Sequence, residues 1–200
     1  MTTAALRALL LAFALTLSLV QGVGAEPAAI EVSGVRFAPH QQMDGRTLTL
    51  NGAGVRVKMI IKVYALGLYL PQPEADPLAV MSADVPQRVQ MVLLRDVDAE
   101  RMAHSLGHGM LEGLSGGQQA ALSDRVHQLM QALIHRGDAN RGDVVIADYR
   151  PGVGTRISVS GQPVCADIPG ADFKQAFLGM WLGGHAADDG LRRKLLGATP

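Results

Sequence analysis

A single cysteine, Cys165, stands in 200 residues, so no intrachain disulfide braces this chain. In its β-prone surroundings, Gln162 to Ala166, it reads as a small buried hydrophobe rather than a nucleophile. Aromatic residues are scarce at 4 %, with one tryptophan, Trp181. An excess of charge is missing too. The 18 basic residues balance 18 acidic ones, which removes the positive field that binding nucleic acid through its phosphates requires. Beyond Ala25 no apolar run is long enough to span a bilayer, and no repeat or low-complexity segment is present.

What is present begins at the N-terminus. Arg7 is followed by an apolar run through Val20, and Val23-Gly24-Ala25 precedes Glu26. This pattern predicts a secretory signal peptide cleaved near Ala25, with an uncleaved anchor as its alternative. Cleavage would place residues 26–200 in the periplasm or outside the cell, without a transmembrane span. The stretch from Glu26 to Pro200 suffices for a single domain with a real core.

Strand signals come first. Ile30 to Phe37 alternates weakly, and Arg46 to Leu50 alternates threonine with leucine. Asn51-Gly-Ala-Gly54 then suggests a tight turn feeding a long strand that Pro71 and Pro73 stop. A proline-rich connection from Pro71 to Pro77 leads to a further strand, Pro86 to Leu94. Helices follow, one capped by Asp98 and one opened by the capping box Ser115-Gly-Gly-Gln118, with Leu122, Val126, Leu129 and Leu133 as its apolar stripe. Asp143 to Tyr149, Gly154 to Ser160 and Gln162 to Ala166 predict an antiparallel meander. The chain closes with a helix carrying Phe173, Phe177, Met180 and Trp181 on one face, then a helix capped by Asp188. Strands and helices in separate blocks predict an α+β fold.

The strand after Gly54 carries the most informative chemistry. Side chains of alternate residues share a face, so Arg56, Lys58, Lys62 and Tyr64 fall on one side with Ile60, Leu66 and Leu68. Val55, Val57, Met59, Ile61, Val63 and Ala65 fall on the other, which reads as core. The mixed face offers a cation and a phenol among aliphatic side chains, which suits an anion with an apolar tail; its plainer reading is a solvated strand face. Along a straight strand Arg56 and Tyr64 would stand roughly 26 Å apart, too far to share one carboxylate. Either the chain bends between Met59 and Lys62, or only one of the two lines a cleft. Arg56, beside the turn glycines, is then the stronger candidate.

Asn51-Gly-Ala-Gly-Val-Arg56 followed by Val63-Tyr-Ala-Leu-Gly-Leu-Tyr-Leu70 resembles the chalcone isomerase superfamily, with its Gly-x-Gly-x-Arg segment and Val-Tyr-Ala-x-Gly-x-Tyr strand. Gly142-Asp-Val144, Pro151-Gly-Val-Gly-Thr155, Asp172-Phe173, Trp181-Leu-Gly183 and Leu195-Leu-Gly197 are similar to its secreted bacterial branch. The resemblance implies an open-faced β-sandwich, in which a large antiparallel sheet has helices packed on one face and a ligand cleft lies between the layers. It also implies one of two activities: closure of a chalcone to a flavanone, or non-catalytic binding of a fatty acid through an Arg and a Tyr. By motif position these are Arg56 and Tyr64. The isomerases have Thr at the second position, and their Tyr and Asn seven apart on the following helix have no counterpart between Asp98 and Gly113. Loss of those positioning groups argues against catalysis. The expected partner is therefore a small amphipathic carboxylate such as a fatty acid, with no catalytic residues and no cofactor. The alternatives are an intramolecular lyase or isomerase, and an interaction module that takes no ligand.

Other chemistry is thin. His104 and His108 stand four apart on a helix, but no glutamate or third ligand completes a metal site. Leu114-Ser115-Gly116 reads as a helix cap rather than the elbow of a serine hydrolase. Gly52-Ala-Gly54 and Gly152-Val-Gly154 lead into strands, not into the helix N-termini that cradle phosphate.

Overall fold

The computed structural model describes residues 29–186 and 188–197; the signal-peptide reading of residues 1–25 lies outside them. Seven strands form one antiparallel sheet in the order β3 to β9: His40–Met43, Arg46–Lys58, Ile61–Leu70, Gln87–Leu93, Val144–Arg150, Gly154–Val159 and Gln162–Pro163. Two short strands, β1 (Ile30–Val32) and β2 (Val35–Phe37), pair separately. The helices are α1 (Pro77–Ser82), α2 (Ala99–Leu111), α3 (Gly116–Arg136), α4 (Ala171–Leu182) and α5 (Asp189–Leu195). This is the α+β architecture expected, an antiparallel sheet with helices on one face. No described helix is long and apolar enough to cross a membrane.

Local signals place the helices. Asp98 accepts from the Arg101 amide at 2.9 Å and starts α2. Ser115 and Gln118 form the reciprocal capping box of α3. Gly113-Leu-Ser-Gly-Gly117 fits the letters of a nucleophile elbow, but a helix rather than a strand precedes it, and Ser115 is spent on the cap. Two elements go beyond the sequence reading. The proline-rich connection ends in α1, whose N-cap is Asp76 and whose first residue is Pro77, and His40–Met43 forms the edge strand β3.

The central strand departs from the sequence pattern in two ways. Gly52 and Gly54 lie inside β4 rather than in a turn, and the chain reverses later, at Met59 and Ile60, so β4 and β5 form a two-residue hairpin. Met59 there adopts φ 57°, a left-handed conformation that costs a side-chain-bearing residue about 1 kcal/mol. The assignment of faces also changes. Leu66, Leu68 and Leu70 pack under the helices in the main core, with Phe173, Phe177, Trp181 and Leu182. Ala53, Ala65 and Tyr69 face a smaller cluster with Phe37, Met43 and Leu48. The face that mixed polar and apolar side chains is thus the one the helices cover, while Met59 and Ile61 are exposed.

Beyond that smaller cluster, the sheet face away from the helices mixes polar side chains with Val92, Val144 and Ile146. Arg88 and Asp148 pair there in a bidentate cross-strand contact at 2.6 and 2.8 Å. On the helical side the main core encloses one amine. Lys174, 2 % exposed, donates to the Met81 carbonyl at 2.6 Å and the Ala83 carbonyl at 2.8 Å, and its Nζ lies 5.1 Å from the Tyr149 ring centre. It thereby holds the end of α1 to α4. Lys174→Met keeps the apolar stem but leaves two buried acceptors without a donor, so we expect a loss of about 2–4 kcal/mol in chemical denaturation. An unchanged midpoint would show that solvent serves those carbonyls.

Candidate functional site

The hairpin brings together what a straight strand would have separated. Arg56 on β4 and Tyr64 on β5 are directly opposed partners in the ladder. Directly opposed residues have Cβ atoms about 5 Å apart on one face. Two bulges set this arrangement, one at Asn51 and one at Val63, where the register shifts between Leu50 and Gly52 and between Arg56 and Val57. Each bulge reverses the parity of the residues beyond it. Sequence alternation groups Arg56, Tyr64, Leu66 and Leu68 correctly but misplaces Lys62, which opposes Val57 on the other face.

The glycines of Gly52-Ala-Gly54 have a different purpose from the one their sequence context suggested. A Cβ on Gly52 would meet the Lys194 carbonyl oxygen at 2.0 Å, and one on Gly54 would meet the Leu191 side chain at 2.8 Å. Their missing side chains let α5 lie directly against the β4 backbone. Asn51 locks it there, donating from Nδ2 to the Leu195 carbonyl at 2.7 Å and the Glu74 carbonyl at 2.9 Å while accepting from the Glu74 amide at 2.7 Å. Docked this way, α5 runs antiparallel to β4 and delivers its N-cap, Asp188, to Arg56.

There Arg56 Nη1 donates to Asp188 Oδ2 at 3.2 Å and to the Val57 carbonyl at 2.9 Å, with both ion-pair side chains about one-fifth exposed. Asp188 also accepts from the Leu191 amide at 2.9 Å. Burial pushes its carboxyl up, but the hydrogen bonds from Leu191, Arg56 and Val57 and the guanidinium charge outweigh this and hold it below the ordinary carboxylate range. Trp181 Nε1 donates to the Tyr64 hydroxyl at 2.8 Å. Burial raises the Tyr64 pKa, and the Trp181 bond and the Arg56 charge offset it only in part. The phenol thus stays protonated at neutral pH and, accepting from Trp181, keeps its proton to donate. Arg56, Tyr64, Trp181 and Asp188 form one polar cluster at the margin of the main core.

Of these four, the sequence singled out Arg56 and Tyr64 as site residues. In the sequence Trp181 stands out only on the aromatic face of its helix, and Asp188 only as a cap. The resemblance implies a cleft between sheet and helices; Leu66, Leu68, Phe177 and Leu182 pack there in the main core, and a pocket of about 10 Å³ lies between β6–β8 and α4. Among the partly buried residues packed against that core are Tyr64, Met91, Met102, Leu106 and Val145, from β5, β6, α2 and β7. A cavity of about 280 Å³ lies instead within the helix layer, among α2, α3 and α4, walled by Met110, Leu114, Leu122, Met180 and the glycines Gly109 and Gly179. None of the four cluster residues lines it. His104 and His108 are exposed on α2, and burial pushes the Cys165 thiol up, away from nucleophilic range.

A family model described as chalcone isomerase-like matches residues 29–197. Similar solved structures include the crystal structure of a fatty-acid binding protein from Arabidopsis thaliana, with a TM-score of 0.67 and 15 % sequence identity over 85 % of this chain and 96 % of that one. At that identity the likeness is one of fold. No curated protein matches the sequence.

Proposed function

Because the chain belongs to the chalcone isomerase-like family, we propose that it is an exported protein that binds a fatty acid or similar amphipathic carboxylate without transforming it. Export rests on the pattern from Met1 to Ala25. The observation that carries the binding reading is the carboxylate already seated on Arg56, that of Asp188, beside a phenol with a proton to give. A ligand carboxylate would replace Asp188 on the guanidinium and accept from Tyr64, two charge-assisted contacts that fix a head group. Its tail would enter the sheet–helix interface from the side of Met91, Met102 and Leu106, where flexible methionines yield to an inserted chain at low cost. The solved fatty-acid binding protein of the same fold supports this ligand class.

Binding without turnover is also supported by α2, which carries neither the tyrosine nor the asparagine by which the isomerases position their substrate. The test is mass spectrometry of small molecules retained through native purification, followed by thermal shift with fatty acids of graded length. A retained fatty acid and a length-dependent rise in Tm are expected. An empty protein that no fatty acid stabilises would overturn the reading and favour an interaction module.

A further inference from the structure

The β4–β5 hairpin ends in the sequence Lys58-Met-Ile-Ile-Lys62, and its apolar residues project into solvent. Met59 is 92 % exposed, Ile60 94 % and Ile61 47 %. Isolated apolar residues are ordinary on a surface, but three in a row at the tip of a ribbon are not. The turn chemistry is wrong for a solvated hairpin as well. Two-residue turns favour glycine, asparagine or aspartate, and the first central position here has the positive φ that glycine adopts freely, yet methionine occupies it. A turn that forgoes both solubility and relaxed geometry is shaped for something other than water.

Its charges identify the partner. Ile61 opposes Lys58 and Lys62 opposes Val57, so the two lysines project from opposite faces of the ribbon, just behind the apolar tip. Side chains this long reach back along the ribbon and hold their ammonium groups a few ångströms behind the isoleucines. An apolar point collared by cations on both faces fits an anionic phospholipid bilayer. The tip enters the acyl region while each lysine meets a headgroup phosphate. A protein groove would take the apolar tip but gives no reason for cations on both sides of it. About 10 Å of ribbon separates the turn from the Arg56–Tyr64 pair.

We propose that the Lys58–Lys62 hairpin tip is a membrane-docking element that inserts Met59 and Ile60 into anionic phospholipid bilayers. This stands independently of the fatty-acid reading, since it rests on the tip alone. The full chain carrying Ile60→Cys, with Cys165→Ser to leave one thiol, is labelled with an environment-sensitive dye and mixed with phosphatidylcholine vesicles with or without phosphatidylglycerol. A blue shift with the mixed vesicles, quenched by lipids brominated along the acyl chain, is expected. In the unlabelled chain, Lys58→Gln with Lys62→Gln should weaken vesicle binding by roughly 20-fold, and Met59→Gly with Ile60→Ser by about 100-fold. That second pair restores favoured turn chemistry, so its Tm should hold or rise while binding falls. A silent dye with both vesicle types would overturn the proposal. So would a blue shift that grows with protein concentration in the absence of lipid, since the tip would then be burying itself in a second copy of the chain.

Discussion

Arg56→Ala is expected to weaken fatty-acid binding by roughly 10- to 150-fold, the range that losing a charge-assisted contact of about 1.5–3 kcal/mol implies. Asp188→Asn is expected to do the reverse. Asparagine still caps α5 through its carbonyl oxygen, but it no longer neutralises the guanidinium, so a ligand carboxylate meets no ionised competitor. An ion pair one-fifth exposed is worth about 1 kcal/mol, which sets the gain near fivefold. The two substitutions thus move affinity in opposite directions, which a general loss of structure would not do. Titration with a fluorescent fatty acid measures both, and equal affinities in wild type and Arg56→Ala would sink the head-group assignment.

The same pair leaves a signature in stability. Asp188 has a folded pKa below its unfolded one, so its contribution is fully present above the unfolded value of about 3.9 and is lost as pH falls through the folded value. The wild type should therefore lose this increment of stability in acid. Asp188→Asn should lack that part of the decline, with thermal melts at neutral and acid pH as the comparison.

Gly52→Ala is the second large effect, and it falls on stability. The added methyl would lie 2.0 Å from the Lys194 carbonyl oxygen and 2.9 Å from the Leu195 carbonyl group, all of it backbone, which has no rotamer by which to move aside. β4 and α5 must separate, and with them the Asn51 hydrogen bonds and the delivery of Asp188 to Arg56. We expect a loss of about 3 kcal/mol, or roughly 6–12 °C in Tm for a domain of this size. Hydrogen exchange should quicken selectively in α5. Gly116→Ala is the control, because a Cβ there has nothing within 4 Å and its φ is not positive. Equal Tm values for the two variants would mean that α5 does not lie against β4 as closely as described.

Both predictions depend on features the sequence showed only in fragments. The caps at Asp98, Ser115 and Asp188 were legible because a cap joins residues two or three apart. The β7–β9 meander was legible for the same reason, with short loops between alternating segments, although its third strand stops at Pro163 rather than Ala166. The hairpin at Met59–Ile60 was legible only as a bend that Arg56 and Tyr64 would need in order to meet, since neither residue carries turn chemistry and a run of β-branched residues passes through it. The glycines at 52 and 54 announced a special backbone, but turn and close approach leave the same mark in a sequence. Only α5, far along the chain from both, distinguishes them.

The chain by itself determined that the fold is α+β, where α2, α3 and α5 start, and that Arg56 and Tyr64 merit attention, because each follows from composition, spacing and motif. Tertiary structure alone decided that these two side chains oppose one another, that Asp188 and Trp181 complete their cluster, and which face of β5 meets the main core. The physical reason is that register, bulges and helix docking arise from contacts between residues distant in the chain. A single extra residue in a strand exchanges its two faces, and no local pattern records it.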